Sequence, residues 1–342
     1  MAPIQNARVL FGSIPETFPI PGETTLYDTS QTIDLETEPL NGGFLVKTLV
    51  LSLDPFLRMR MRDPSVKSYL PPFKIGAPLD GYGVGIVLRS ETAGVQVGKY
   101  VYGLTILHQE YTVYPELGTL QIIEPHPGLS LTAYVTAAGM PGQTAYAAWK
   151  EYSDAKPGEV AFVTSGAGAV GTIVIQLAKQ AGLKVIASAG SEEKVKFMQS
   201  IGADVAFNYK NTDTGAVLEK EGPIDMYDNV GGDIVDVAIE ASAHKARILA
   251  CGSIAGLNTG HAGVKNFHQI VRKALRVHGI LILDLLPKYQ ADFYATIPPK
   301  LASGELKYTE DVSKGLSTVG DVFLAVLKGT KKAKAVVVVA DE

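Results

Sequence analysis

The chain has 342 residues, of which 46% are hydrophobic and 19% are charged, so it has enough apolar side chains for two domains. This composition excludes a disordered or fibrous protein. The formal net charge is −4, and the short cluster Lys331, Lys332 and Lys334 is interpreted as a solvated face, so we expect no nucleic acid partner.

The N-terminus and the cysteine content both bear on the compartment. The first residues lack a basic start followed by an apolar core, and no apolar run approaches the ~18 residues of a membrane span. Cys251 is the single cysteine, so an internal disulfide is excluded. These features predict a cytoplasmic protein with no membrane partner.

The first part of the chain, residues 1 to about 130, is rich in Gly, Pro and Thr. Short alternating runs at residues 43–51 and 81–88 predict an irregular β-rich domain. The pattern becomes helical from 133 to 152, where Pro141 and Gly142 are expected to break it into two pieces.

A glycine-rich turn follows the next predicted strand, which begins at Val160. The turn reads Gly166-x-Gly168-x-x-Gly171 and leads directly into a helical pattern. Glycines at this spacing allow a tight turn and close approach to a pyrophosphate, while N–H groups at the helix start face the anion. The context predicts dinucleotide binding, and a plain strand–turn–helix connection is the alternative.

The end of the second predicted strand indicates which dinucleotide binds. Residues 184–190 end in Ala189-Gly190-Ser191, where an NAD enzyme usually carries an acid for the ribose 2′-hydroxyl. Ser191 and Lys194 supply a hydroxyl and a positive charge for a 2′-phosphate. Glu192 and Glu193 are assigned to the first helical turn. NADP(H) is therefore favoured, although Lys194 alone would more often be a solvated helix residue.

The strand–helix alternation continues through a predicted doubly wound sheet. Further strands are expected at 205–209, 224–230 and 247–252, with helices at 213–221 and 233–242. Because the carboxyl ends of parallel strands meet at one crevice, four residues are predicted beside the cofactor: Asn229, Gly231, Cys251 and Ser253. The alternatives are turn chemistry at 229–232 and a buried apolar role for Cys251.

The last part of the chain predicts a return to the first domain. A helix is expected at 318–328 and a strand at 334–340. The sequence thus predicts an α/β protein in which a Rossmann-type doubly wound parallel sheet is inserted into a β-rich domain. The expected segments are a β-rich catalytic domain at 1–130, an NADP-binding domain at 131–304, and a C-terminal return at 305–342.

Six motifs in one order cover nearly the whole chain: Leu53-Asp-Pro-Phe-Leu-Arg58, Gly81-Tyr-Gly-Val84, Gly139-Met-Pro-Gly-Gln-Thr-Ala-Tyr146, Ser165-Gly-Ala-Gly-Ala-Val-Gly171, Ala189-Gly-Ser-Glu-Glu-Lys194 and Tyr227-Asp-Asn-Val-Gly-Gly232. In this ordered set the chain resembles the zinc-independent medium-chain dehydrogenases/reductases, in the branch of leukotriene/prostaglandin reductases and alkenal double-bond reductases. The resemblance implies a GroES-like β-rich domain, a homodimer, and NADPH-dependent reduction of the carbon–carbon double bond of α,β-unsaturated aldehydes and ketones.

The resemblance also implies individual cofactor contacts. It assigns Ala169 and Val170 to the pyrophosphate, and Lys194 and Tyr209 to the 2′-phosphate. It assigns the adenosine and nicotinamide surroundings to three further residues: Asn229, Cys251 and Leu283.

The sequence departs from the family pattern at several positions. Phe56 stands where relatives often have a tyrosine, Arg272 replaces another tyrosine, and Lys331 replaces an asparagine near the end. Negative charge develops on the substrate oxygen during hydride transfer, so a donor must be aimed at that oxygen. Tyr82 is the leading candidate for this donor or for a proton relay, and a purely packing role is the alternative.

The substrate side of the expected pocket is apolar. Tyr69 is a weaker donor candidate on a loop, and Phe56 and Leu283 are expected to contact a hydrophobic enal or enone.

No metal site is expected. A structural zinc needs about four Cys or His ligands, and a catalytic zinc about three protein ligands. The chain has one Cys and six His, and the closest histidine pair, His261 and His268, has no third ligand nearby.

Residues 277–283 form an apolar run that is expected to be an edge strand. An exposed edge of this kind would invite aggregation unless it pairs, and in similar proteins it pairs across a two-fold axis. We therefore expect a homodimer. Two other functions remain open: a quinone or carbonyl reductase of the same superfamily, and a non-catalytic NADP-binding sensor or interaction protein.

Overall fold

The structure is a computed structural model that describes residues 2–260 and 263–341. The chain divides into two compact units. The β-rich unit comprises Met1–Thr136, Glu310–Lys331 and Ala335–Glu342, and the nucleotide unit comprises Ala137–Thr309 and Lys332–Lys334.

The β-rich unit is built first along the chain. Its strands are β1 (Ile4–Gln5), β2 (Arg8–Phe11), β3 (Thr25–Asp28), β4 (Thr32–Ile33), β5 (Phe44–Ser52), β6 (Asp80–Ser90), β7 (Tyr100–Leu107), β8 (Tyr111–Tyr114) and β9 (Gln121–Ile123). One short helix, α1 (Leu57–Arg60), follows β5, and a 3₁₀ turn covers Leu131–Val135.

The nucleotide unit then alternates strands and helices. In chain order they are α2 (Met140–Tyr152), β10 (Val160–Val163), α3 (Ala169–Gln180), β11 (Lys184–Ala189), α4 (Glu192–Ser200), β12 (Val205–Asn208), α5 (Thr214–Glu221), β13 (Asp225–Asp228), α6 (Asp233–Ala241), β14 (Arg247–Ala250), α7 (Phe267–Arg272), β15 (Arg276–Gly279) and α8 (Ile282–Ala302). A 3₁₀ turn, Ile254–Gly256, lies between β14 and α7.

The chain then returns to the β-rich unit. This segment contains β16 (Glu310–Lys314), a 3₁₀ turn at Leu316–Thr318, α9 (Val319–Leu327) and β17 (Lys334–Val338). β17 pairs antiparallel with β5.

The sheet of the nucleotide unit has the order β12-β11-β10-β13-β14-β15 in the described residues, and its pairs are parallel. The chain runs outward from β10 to β12 and then crosses back to β13, so the strand order reverses between β10 and β13. Phe162, Ile186 and Ile248 are buried in its core, as expected for a parallel sheet covered on both faces. This topology confirms the predicted doubly wound fold.

The larger sheet of the β-rich unit has the order β16-β17-β5-β6-β7-β9 across the part of the chain that the structure describes, and β8 pairs with β5. Glycines let β6 lie close to its neighbours. A Cβ at Gly85 would lie 2.3 Å from Cγ1 of Val46, and one at Gly83 would lie 2.9 Å from the carbonyl oxygen of Val50. The β6–β7 register also shifts between Gly81 and Gly83, where two residues of β7 lie opposite Tyr82.

The helical stretch that begins near 133 is in two pieces, as expected: a 3₁₀ turn at Leu131–Val135, and α2. Pro141 lies in the first turn of α2, where its missing N–H would have no intrahelical acceptor. One local prediction is wrong. The run 277–283 is not one strand: β15 ends at Gly279, and α8 begins at Ile282. A short apolar run does not distinguish a strand from a buried helix start, so Leu283 is helical.

No helix among the described residues is both long enough and apolar enough to cross a membrane.

Candidate active site

The glycine-rich turn joins β10 to α3 with almost no free space. A Cβ at Gly166 would lie 2.6 Å from the sulfur of Met198 and 2.9 Å from Cβ of Ala187. A Cβ at Gly171 would lie 2.5 Å from the carbonyl oxygen of Ser165. The first and third glycines therefore let strand and helix pack in direct contact.

The start of α3 is open to an anion. The helix begins at Ala169, and its N-cap, Gly168, has no side chain to accept a hydrogen bond. The first N–H groups of a helix have no intrahelical acceptor, so the amides of Ala169 and Val170 are available to a ligand. This geometry fits the pyrophosphate of a dinucleotide.

The tip of β11 carries no acid. A Cβ at Gly190 would lie 3.0 Å from the Tyr209 hydroxyl and 3.2 Å from Cε of Lys210, so both side chains lie over this glycine. Ser191 is the N-cap of α4, where its Oγ accepts a hydrogen bond from the Lys194 N–H at 3.4 Å. The structure thus places Ser191 and Tyr209 beside Gly190, and Lys194 in the first turn of α4.

Lys210 is a candidate that the sequence reading missed. Its ammonium makes no ion pair with a carboxylate within the described residues, so its charge is available to an anion at the Gly190 tip. The signal that could have found it is its place directly after Tyr209, at the end of the adjacent strand.

Two glutamates follow the β11 tip, and the carboxylate of the first already accepts hydrogen bonds. Glu192 and Glu193 lie in the first turn of α4, as predicted. The Glu192 carboxylate accepts hydrogen bonds from Nδ2 of Asn208 at 3.0 Å and of Asn211 at 3.3 Å, and these bonds hold its pKa below the usual range. Glu192 is therefore satisfied by amides on the adjacent segment.

At the reversal of strand order, Asn229 is fixed by β10. Its main-chain N–H donates to Oγ1 of Thr164 at 2.8 Å, and its Nδ2 donates to the Thr164 carbonyl oxygen at 2.8 Å. The Thr164 hydroxyl donates in turn to the buried carboxylate of Asp228 at 2.8 Å. Asp228 also accepts from the N–H groups of Val230 at 3.0 Å and Gly231 at 2.9 Å.

Burial raises the pKa of Asp228, and its three hydrogen-bond donors oppose that rise. Neither Thr164 nor Asp228 was selected from the sequence. The Asp228 carboxylate holds the 229–231 turn by accepting hydrogen bonds from its main-chain N–H groups. It is therefore a structural element of the candidate cofactor site.

Gly231, Gly252 and Ser253 also meet at this edge. Gly231 has a φ of +71°, and a Cβ there would lie 2.8 Å from Oγ of Ser253. A Cβ at Gly252 would lie 2.7 Å from the carbonyl oxygen of Asn229. The predicted convergence of the β13 and β14 ends is therefore present in the structure.

Cys251 lies at the same edge, but its thiol is turned into the core. The thiol is hydrogen-bonded to the buried Tyr227 hydroxyl, and burial raises its pKa to about 12. Such a thiol is inert at neutral pH. Both expectations for Cys251, a buried side chain and a position beside the site, are compatible with this placement.

The β-rich unit gathers the predicted substrate residues. The ring of Phe56 meets the ring of Tyr82 edge to face, with centroids 6.2 Å apart, and Tyr102 stacks on Tyr82 at 5.6 Å. Burial raises the pKa of Tyr82 above its usual range, and the charges of Asp54 and Tyr69 raise it further. Tyr82 is therefore a protonated donor at neutral pH, with Tyr69 within electrostatic range.

Two other residues named from the sequence lie in the nucleotide unit. Leu283 is in the first turn of α8, with 37% of its surface exposed, and Arg272 is the exposed last residue of α7. Leu283 follows the carboxyl end of β15, so it lies at the same edge of the sheet as the other strand tips.

Across residues 2–260 and 263–341, no group of three or more His, Cys, Asp or Glu side chains is placed to hold a metal ion. His261 of the predicted histidine pair lies outside the described residues.

Two family models match the chain. The model described as the N-terminal domain of oxidoreductase matches residues 15–122, and the model described as zinc-binding dehydrogenase matches residues 169–298. The two matches fall in the β-rich unit and the nucleotide unit, respectively.

Similar proteins cover almost all of the chain. The chain is 37% identical to a 2-alkenal reductase (NADP⁺-dependent) of Nicotiana tabacum over 99% of both chains, and 36% identical to a (+)-pulegone reductase of Mentha piperita over 88% of this chain and 89% of that one. A crystal structure of CurA from Vibrio vulnificus in complex with NADPH superposes with a TM-score of 0.88 at 30% identity, over 98% of this chain and 100% of that one. These matches confirm the resemblance, and the chain belongs to the zinc-independent medium-chain dehydrogenases/reductases, in the branch of the alkenal double-bond reductases.

Proposed function

We propose that the protein is an NADPH-dependent reductase of the carbon–carbon double bond of hydrophobic enals and enones. The observation that carries the proposal is the near full-length similarity to a 2-alkenal reductase and a pulegone reductase, together with an intact dinucleotide cradle. The aromatic cluster around Tyr82 supports a substrate site in the β-rich unit.

The cofactor residues are proposed by position in the nucleotide unit. The amides of Ala169 and Val170 bind the pyrophosphate, and Ser191, Lys194 and Tyr209 bind the 2′-phosphate. The turn that carries Gly166, Gly168 and Gly171 lies against the pyrophosphate. The nucleoside and nicotinamide lie beside Asn229, Cys251, Ser253 and Leu283. The absence of a carboxylate from the β11 tip favours NADP(H) over NAD(H).

The mechanism requires a donor at the substrate oxygen. When bound, NADPH supplies a hydride to the β-carbon of the acceptor. Negative charge then develops on the carbonyl oxygen as an enolate, and Tyr82 donates a hydrogen bond to that oxygen or passes a proton to the α-carbon. Phe56 cannot take this role because it has no hydroxyl. Phe56 and Tyr69 are proposed to line the apolar part of the substrate site in the β-rich unit.

A panel of acceptors tests this function. NADPH oxidation is measured with enals, enones, saturated aldehydes and quinones, and the products are identified. We expect saturated aldehydes or ketones from the first two classes. Reduction of quinones or of the carbonyl group alone would favour the quinone or carbonyl reductase, and NADPH binding without turnover would favour a sensor or interaction protein.

We further propose that the protein is a homodimer formed through β15. This strand is an edge of the parallel sheet in the described residues, and Val277 within it is 51% exposed. Phe267 and Val271, one turn apart on α7, add exposed apolar surface in the preceding segment. An unpaired strand edge beside exposed apolar side chains favours association.

A further inference from the structure

The loop that carries Tyr69 is held from inside by one arginine. Arg62 follows α1, and its guanidinium donates three hydrogen bonds to main-chain carbonyl oxygens. Nη1 donates to Met59 at 2.8 Å, Nε donates to Val66 at 2.9 Å, and Nη2 donates to Leu70 at 2.5 Å. No Asp or Glu in the part of the chain that the structure describes forms an ion pair with Arg62.

The two loop carbonyls bracket Tyr69. Val66 lies three residues before it, and Leu70 follows it directly. Both carbonyls are joined through one planar guanidinium to the carbonyl of Met59 in α1. The loop is therefore tied to the short helix whose N-cap is Phe56. A guanidinium presents its donors in a fixed fork, and it can bridge several carbonyls that a lysine ammonium on a flexible stem cannot.

Neighbouring contacts hold the two ends of the loop. Nε of Arg60 donates to the Pro71 carbonyl oxygen at 3.0 Å, and Asp63 Oδ1 accepts from the N–H of Ser65 at 2.8 Å. Between these ends, the Tyr69 side chain is 49% exposed, so side-chain burial alone does not fix its position. The Arg62 bonds fix a main-chain carbonyl on each side of Tyr69.

We propose that Arg62 is a positioning residue, which holds the main chain on both sides of Tyr69 and thereby sets the affinity for the acceptor. This inference rests on the proposed function for its substrate class. The electrostatic influence of Tyr69 on Tyr82 supports the closeness of the two side chains.

The first test measures the loop itself, without an acceptor. Amide hydrogen exchange at Ser65 and Val66, whose N–H groups donate to Asp63 within this loop, should become at least about tenfold faster in Arg62→Lys, the change expected for one lost charge-assisted hydrogen bond. The matched control is Arg89→Lys, because Nη1 of Arg89 donates to the carbonyl oxygens of Leu35 at 3.2 Å and Glu38 at 2.9 Å in another loop of the same unit. Unchanged exchange at Ser65 and Val66 in Arg62→Lys overturns the proposal, whatever the substrate.

The second test measures the consequence for the acceptor. In Arg62→Lys, the KM for a hydrophobic enone should rise about tenfold, while kcat changes less and the Kd for NADPH does not change. Arg89→Lys should leave all three values at wild type. An unchanged KM, or an equal loss of NADPH affinity, overturns the positioning role.

A double variant tests whether the effect of Arg62→Lys on the KM acts through Tyr69. Tyr69→Ala should raise the same KM, and Arg62→Lys should add little in that background, because the group that it positions is gone. Fully additive effects would show that Arg62 does not act through Tyr69. If the wild-type protein oxidises NADPH with no member of the acceptor panel, the proposed function fails, and the exchange comparison still decides whether Arg62 holds the loop.

Discussion

Asn229 is bonded twice to Thr164, through its main-chain N–H and its side-chain amide, and both distances are 2.8 Å. The two residues are 65 positions apart and lie at the ends of adjacent parallel strands, at the point where the strand order reverses. The pair therefore locks the turn at the candidate cofactor site to the strand that precedes the glycine-rich loop.

Thr164→Val should weaken both the fold and cofactor binding. Valine keeps the shape but leaves the Asp228 carboxylate without one donor and the Asn229 N–H without its acceptor, a cost of about 1–3 kcal/mol in the free energy of unfolding. We expect a lower urea midpoint and a higher Kd for NADPH. Thr48→Val is the matched control, because the buried Thr48 hydroxyl has no hydrogen-bond partner in the described residues. A Thr164 variant as stable as the Thr48 variant would contradict the argument.

Lys194→Ala and Lys210→Ala should each impair the use of NADPH more than the use of NADH. Each removes a cation from the Gly190 tip, and a charge-assisted phosphate contact is worth about 1–3 kcal/mol. The Kd for 2′,5′-ADP, compared with that for 5′-AMP, measures this preference without turnover. Lys196→Ala, on α4, serves as the control. An equal loss for both nucleotides would refute the 2′-phosphate assignment.

Tyr82→Phe should lower kcat with little effect on the Kd for NADPH. An oxyanion donor acts on charge that develops in the transition state, and its removal typically costs ~10²–10³-fold. Tyr102→Phe removes a hydroxyl from the ring stacked on Tyr82 and is the control. Wild-type turnover in Tyr82→Phe, with hydride transfer shown to be rate-limiting by a deuterated-cofactor isotope effect, would leave Tyr82 only a packing role.

His108 should make the protein sensitive to acid. The side chain is fully buried, neither ring nitrogen has a hydrogen-bond partner in the part of the chain described, and burial together with the charge of Arg60 lowers its pKa to about 3. The unfolded state takes up a proton below a pH of about 6.5 and the folded state does not, so the free energy of unfolding falls as pH falls, by up to about 1.4 kcal/mol per pH unit.

His108→Leu should remove this contribution to the fall in the free energy of unfolding at low pH. Urea midpoints between pH 7 and pH 5 measure it, with His244→Leu, at an exposed position, as the control. If the urea midpoint of His108→Leu falls as steeply between pH 7 and pH 5 as that of the wild type, His108 is not the source of the pH dependence.

The wild-type protein should have the mass of a dimer by light scattering at micromolar concentration. Val277→Lys places a charge on the β15 edge and should shift the mass toward the monomer. Val312→Lys is the control, since Val312 is also exposed on an edge strand, β16, in the β-rich unit. A monomeric wild type would defeat the proposed dimer.

The sequence was informative where structure depends on neighbouring residues. The passage from β10 through Gly166, Gly168 and Gly171 into α3 was predicted because strand period, glycine spacing and helix period are all local. The convergence of Asn229 and Ser253 also followed, because parallel strands bring their carboxyl ends to one edge.

Contacts between distant segments could not be derived in the same way. Nothing in the spacing of Thr164 and Asn229 indicates their pairing, which depends on which strands become neighbours in the sheet. The position of Lys210 over Gly190 likewise depends on the β11–β12 pairing. The helical start at Ile282 was missed because the same apolar residues satisfy a strand or a helix until packing selects one.

The three glycines of the glycine-rich loop differ in whether packing or nucleotide binding requires them. Cβ atoms at Gly166 and Gly171 would collide with the protein itself, whereas one at Gly168 would meet only the Ser165 carbonyl oxygen and hydroxyl, at 3.0 Å each. A descendant of this protein that abandoned its nucleotide would still be under selection to keep the outer two glycines for folding. The middle glycine is therefore the informative one. Its replacement in a homologue would indicate that the nucleotide is no longer bound, even where the other two glycines are kept because the fold needs them.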